Sequence, residues 1–77
     1  MDREQRLMVR SAIDRLPDMQ RAALLLRIEG EFSYGEIGQQ IDQSESYVKT
    51  LIYRGRMRLK KALGTYLGER NAPAMPE

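Results

Sequence analysis

The stretch that decides the fold is residues 44–67, SESYVKTLIYRGRMRLKKALGTYL. Its apolar side chains recur at three- and four-residue steps, the spacing of one stripe along a helix: Val48, Leu51, Ile52, Leu59, Ala62, Leu63 and Tyr66. At 100° per residue, a polar set falls largely on the opposite side: Ser46, Lys49, Thr50, Tyr53 and Arg54. A helix that buries one side and offers cations, hydroxyls and an aromatic ring on the other is suited to the major groove of DNA.

The residues just before this helix predict the first half of a helix-turn-helix. Ser33 and Glu36 have the spacing of a capping box, which predicts a short helix over residues 33–41. Gly38 lacks a side chain where the long helix would have to pass closely. A short turn follows, and Ser44 is a good N-cap for the long helix.

Two further helices are predicted upstream, over residues 2–15 and 17–29. Leu16-Pro17 is expected to form a tight corner, with the proline as the first residue of the second helix. The second helix is apolar on more than one side, so it is either central to the bundle or lends its outer side to a protein partner. The residues assigned to that partner surface are Leu24, Leu25 and Ile28. Gly30 is expected to end the helix in the left-handed conformation.

Length and composition predict one small domain, residues 1–67, followed by a disordered polar tail, residues 68–77. The chain contains no cysteine and no histidine, which excludes disulfides, thiolate or imidazole metal sites and Ser/His/Asp catalysis. We therefore expect neither an enzyme nor a cofactor. No apolar run is long enough to span a bilayer and no signal peptide is recognisable, so no membrane partner and a cytoplasmic location are expected.

Charge is distributed unevenly along the chain. Residues 1–45 carry six arginines against nine carboxylates, a balance of −3, whereas residues 46–77 carry seven cations against two carboxylates, a balance of +5. The two halves are thus predicted to present surfaces with different partners. The alternative is a long helix with an ordinary solvated Lys/Arg face.

An ordered series of residues resembles a known family. Its members are Leu16-Pro17, Arg21, the leucines and Gly30, then Ser33-Tyr34-Gly35-Glu36-Ile37-Gly38, Ser44, Val48-Lys49-Thr50, Tyr53-Arg54 and Arg56. The series is similar to the C-terminal region 4 domain of bacterial sigma-70 family factors, in particular the extracytoplasmic-function group. The chain departs from that pattern at Ser46-Tyr47, where the family has Gly-Thr, at Leu51, where it often has Arg or Lys, and at Asp42, where it has Gly.

The resemblance implies an all-α, four-helix domain with a C-terminal helix-turn-helix of the sigma region 4 type and no sheet. It implies recognition of the −35 promoter element, docking on the flap of the RNA polymerase β subunit, and control by an anti-sigma factor, without a small-molecule substrate. The implied groove-facing residues are Lys49, Thr50, Tyr53 and Arg54, and the implied phosphate contacts are Ser33, Tyr34, Arg56 and Arg58; Ser46 is also expected to contact DNA. Because no part of the chain can serve the −10 element, the sequence is expected to be a domain of a longer sigma factor or a stand-alone relative.

Two other functions fit the sequence. One is a stand-alone helix-turn-helix regulator, which would bind two half-sites cooperatively. The other is a protein-interaction module held by a regulator, with DNA binding secondary.

Overall fold

The computed structural model describes residues 2–67, with side chains to residue 64, and this part of the chain forms four α-helices without a strand. The helices are α1 (Arg3–Asp14), α2 (Asp18–Ile28), α3 (Tyr34–Ile41) and α4 (Glu45–Leu67). The predicted all-α fold is confirmed, and each predicted helix end lies within one residue of the observed end. The expected tail, residues 68–77, and the side chain of Tyr66 lie outside the described residues.

The long helix α4 is the centre of the fold, because it packs against each of the other three helices. The α4 side chains Val48, Leu51, Ile52 and Leu59 are all buried in the core. The other buried apolar residues come from the surrounding helices and the first corner: Ile13, Leu16, Ala23, Leu24 and Ile37. Ala62, predicted to belong to the buried stripe, is exposed, since the core thins toward the C-terminal end of α4.

Caps fix where the helices begin. At α3 the Glu36 N–H donates to the Ser33 hydroxyl over 3.1 Å, and the Ser33 N–H donates to the Glu36 carboxylate over 2.8 Å, as the capping box predicts. At α4 the Tyr47 N–H donates to the Ser44 hydroxyl over 3.0 Å. The start of α4 is therefore set by its own sequence.

The corner between α1 and α2 is held by one side chain. The Arg21 guanidinium donates to the carbonyls of Asp14 and Leu16, at 3.2 and 3.3 Å, and to the Asp18 carboxylate at 2.8 Å. Pro17 caps α2 rather than opening it, and its carbonyl accepts the Arg21 N–H at 2.9 Å. These contacts satisfy carbonyls that the end of α1 would otherwise leave unpaired.

The left-handed residue after α2 is Glu31, with φ of 56°, so the prediction of a left-handed Gly30 is wrong. Gly30 is needed for space instead, because a Cβ there would overlap the ring of Phe32. The predicted turn before α4 does require a left-handed residue, and Asp42 adopts φ of 61° and ψ of 49°.

The prediction that Leu24 belongs to an outer partner surface is also wrong. Leu24 is 0% exposed and belongs to the core, where α2 crosses α4 close to Gly55. Leu25 is half-buried against the core, and only Ile28, at 53% exposed, lies on the outside. The helix is apolar on more than one side because it packs on both α3 and α4.

Candidate nucleic-acid interface

The outward side of α4 carries the predicted polar set. Ser46, Lys49, Tyr53 and Arg54 are exposed and Thr50 is half-buried, whereas Val48 and Ile52, between them in sequence, are buried. The core therefore fixes the rotation of α4 about its axis and leaves these five side chains on one continuous surface.

Thr50 and Arg54 differ in what they can offer to a base. The Thr50 hydroxyl donates to the Ser46 carbonyl at 3.4 Å, so its hydrogen is directed at its own helix and its methyl group is available for apolar contact. Arg54 forms no ion pair with any residue in the described part of the chain. Its planar guanidinium is the group best suited to the O6 and N7 acceptors of guanine.

A groove of about 260 Å³ runs along the edge of α4 that faces α3, lined by Tyr34, Lys49, Ile52, Tyr53 and Arg56. The ammonium of Lys49 lies 5.8 Å from the centroid of the Tyr34 ring. Lys49 is thus drawn toward the rim of the surface rather than its centre. A groove with two cations beside two aromatic rings suits a phosphate group.

Arg27 belongs to the same edge, although the sequence pattern does not predict it there. Its guanidinium carbon lies 4.5 Å from the centroid of the Tyr34 ring, and its Nη1 donates to the Phe32 carbonyl at 2.9 Å. Arg27 holds the loop before α3 and the Tyr34 ring together. The one usable signal in the sequence is a lone arginine at the end of a leucine-rich helix.

Not all of the predicted DNA-contacting residues come together. Arg58 lies on the other edge of α4, where it lines a groove against α1 with Arg15 and Leu16. Arg56 and Arg58 therefore face different sides of the domain. Ser33 is exposed beside Tyr34, with its hydroxyl oxygen already accepting the cap hydrogen bond from Glu36.

A second surface lies between α1 and the end of α2. Leu7 is 59% exposed and Ile28 is exposed beside it, and both line an apolar groove of about 380 Å³. Arg10 borders this groove and pairs with Glu29 at 3.3 Å. Exposed apolar side chains at a groove with a charged border are typical of protein-docking surfaces.

Metal-binding and membrane-spanning features are absent from the part of the chain that the structure describes. No cluster of carboxylates there could hold a metal ion. None of the described helices has the length and apolarity that a membrane crossing requires.

The architecture and the basic, aromatic-lined outward face of α4 define a helix-turn-helix DNA-binding domain. A family model described as "Sigma-70, region 4" matches residues 6–59, most of the chain, and the protein belongs to that family. The members of this family are DNA-binding domains of sigma factors, and they interact with −35 promoter DNA and RNA polymerase. It is not an enzyme family. Searches of curated proteins and of solved structures found no match.

Proposed function

We propose that this domain reads the −35 promoter element as region 4 of an extracytoplasmic-function type sigma factor. The observation that carries the proposal is the two-sided build of α4, whose inner side is core and whose outer side presents cations, hydroxyls and an aromatic ring. Ser46, Thr50, Tyr53 and Arg54 are the proposed base-reading residues. Arg54 contacts a guanine edge, and the Thr50 methyl contacts a thymine methyl.

Phosphate contacts flank this base-reading set. Lys49 and Arg56, with Tyr34 and Ser33 at the start of α3, line or border one edge of α4 and bind one DNA strand. Arg58 lies on the opposite edge and binds the other strand. Such contacts on both walls of the major groove fix the register of α4 without reading sequence.

The apolar surface around Leu7 and Ile28 is the proposed docking site for the flap of the polymerase β subunit. Leu24 is not part of this proposed docking site, because its side chain is buried. An anti-sigma factor that covered this surface or the outward face of α4 would block the domain from transcription initiation. Transcription initiation by this domain would take place in the cytoplasm, where RNA polymerase binds the chromosome.

The exposed Leu7 and Ile28 also favour a second candidate, a protein-interaction module in which DNA binding is secondary. A third candidate, the stand-alone helix-turn-helix regulator, would bind two half-sites cooperatively. All three functions differ in what the isolated chain does with DNA.

The test is selection of duplexes from a library with a randomised window, at low salt, followed by fluorescence anisotropy on the selected sequence. Arg54→Ala is expected to cost about 1–3 kcal/mol and to relax preference at one position. Arg54→Lys is the sharper variant, because it keeps the charge but loses the planar fork that a guanine edge requires. Lys60→Ala is the charge-matched control on an exposed position of α4.

Relaxation at one position by both Arg54 variants, but not by Lys60→Ala, supports base reading by α4. Selection of paired half-sites would favour the stand-alone regulator instead. If the wild type selects no sequence and every variant binds equally, the proposal fails in favour of the interaction module.

A further inference from the structure

Tyr47 is an exposed aromatic residue on the first turn of α4 that the resemblance leaves without a role. It is 41% exposed. Within the described residues its side chain makes no hydrogen bond, ion pair or cation–π contact. The ring and hydroxyl are therefore available to a ligand, and both suit an edge that is partly apolar and partly polar.

The backbone at Tyr47 is fixed by the N-cap of α4 and by the core. Its own N–H donates to the Ser44 hydroxyl, and the N–H of the next residue, Val48, donates to the Ser44 carbonyl, both at 3.0 Å. Val48 is fully buried, so the first turn of α4 is held by the cap and by the core together. The backbone at Tyr47 is therefore ordered before binding, and only the side-chain rotamer remains to be fixed by the ligand.

The phase of the helix places Tyr47 in line with the base-reading residues. Tyr47, Thr50 and Arg54 stand at i, i+3 and i+7, so they form one ridge along α4. Lys49 lies on the other edge, beside Tyr34. Tyr47 and Arg54 are separated by a rise of about 10.5 Å along the axis. Because a helix in the major groove is inclined to the DNA axis, that rise spans at most about three base-pair steps of ~3.4 Å.

We propose that Tyr47 is a specificity-determining residue whose ring contacts the C5-methyl group of a thymine, within about three base pairs of the pair that Arg54 reads. This inference rests on the proposed function. In helix-turn-helix domains, the N-terminal residues of the recognition helix contact base edges. Thymine alone presents a methyl group in the major groove, and an aromatic ring matches it.

The experiment begins with the sequence that the 77-residue chain selects from the randomised library. Each thymine of that sequence is replaced in turn by deoxyuridine, which removes the methyl group and keeps the base pairing. Affinities are measured for the wild type, Tyr47→Phe and Tyr47→Ala. At one thymine the replacement is expected to weaken the wild type and Tyr47→Phe about fourfold, the effect of burying one methyl group, and to leave Tyr47→Ala unchanged.

The inference is overturned if no replacement weakens the wild type, or if Tyr47→Ala responds to every replacement as the wild type does. Either result, with a selected sequence that still depends on Arg54, leaves the proposed function intact. Selection of no sequence at all overturns the proposed function itself. Thermal melts check that the variants fold.

Discussion

Gly38 and Gln43 meet backbone to backbone across the turn of the helix-turn-helix. The Gln43 N–H donates to the Gly38 carbonyl at 2.9 Å, and a Cβ on Gly38 would lie 2.5 Å from the Gln43 carbonyl oxygen. The turn therefore sits directly on α3, and this contact sets how α4 leaves it. The absence of a side chain at Gly38 of α3 therefore permits the direction that α4 takes.

Substitution Gly38→Ala is expected to destabilise the domain by about 1–3 kcal/mol, because a backbone atom would have to move to admit the methyl group. Gly55→Ala is the matched control, a second buried glycine whose Cβ would meet Leu24 at 3.6 Å, an ordinary contact. It is expected to be neutral or stabilising by up to about 1 kcal/mol, since alanine is the better helix former. Thermal or urea unfolding measures both. Equal effects of the two substitutions would contradict the assigned role of Gly38.

Substitution Glu31→Gly is expected to stabilise the domain. A left-handed L-residue costs about 1–2 kcal/mol, and the greater freedom of glycine in the unfolded chain offsets about 0.5–1 kcal/mol of that relief. The expected gain of about 0.5–1 kcal/mol corresponds to a rise in Tm of roughly 2–8 °C for a domain of this size. Asp42→Gly is the control, with a smaller gain because aspartate tolerates the left-handed region better. A lower Tm for Glu31→Gly would argue against strain at that residue.

Truncation of the buried Leu24 and of the exposed Ile28, both on α2, is expected to change the stability of the domain by different amounts. Leu24→Ala should cost about 2–5 kcal/mol of stability, because it opens a cavity in the core. Ile28→Ala should change stability by less than about 0.5 kcal/mol, since the side chain is exposed. Binding to purified core RNA polymerase is expected to weaken for Ile28→Ala, which remains folded. Unchanged binding would remove Ile28 from the proposed docking site.

Lys49 and Arg54 are expected to affect DNA binding in different ways. Lys49→Ala should weaken all duplexes about equally and lower the salt dependence by about one counterion, as for a lost phosphate contact. Arg54→Ala should act mainly at one base pair. Titrations at several salt concentrations, on the selected duplex and on a scrambled one, separate the two effects. A position-specific loss for Lys49→Ala would move that residue from the rim into the base-reading set.

Local signals in the sequence are sufficient for the helices and their starts. Ser33 with Glu36, and Ser44 alone, carry their capping information within three or four residues. The stripe of α4 has a clear phase, so its buried and exposed sides follow from the order of its residues alone. The fold and the outward set are predictable because both depend on short-range periodicity.

Features that depend on contacts between helices are not predictable in this way. Three consecutive leucines give α2 no phase, so the pattern does not distinguish buried Leu24 from the exposed end at Ile28. Glycine favours the left-handed region, which predicts that conformation at Gly30, whereas the chain places Glu31 there. The position of Arg27 at the end of α2 does not identify its contact, since its partner, the Tyr34 ring, belongs to another helix.

The central position of α4 has a consequence for how such a protein can diversify. Every third or fourth side chain of that helix is buried in the core, whereas Ser46, Tyr53 and Arg54 between them are exposed. Changes at the outward positions leave the folding free energy nearly untouched. A lineage, or an engineer, can therefore exchange the recognition surface one residue at a time and obtain new promoter preferences from the same scaffold.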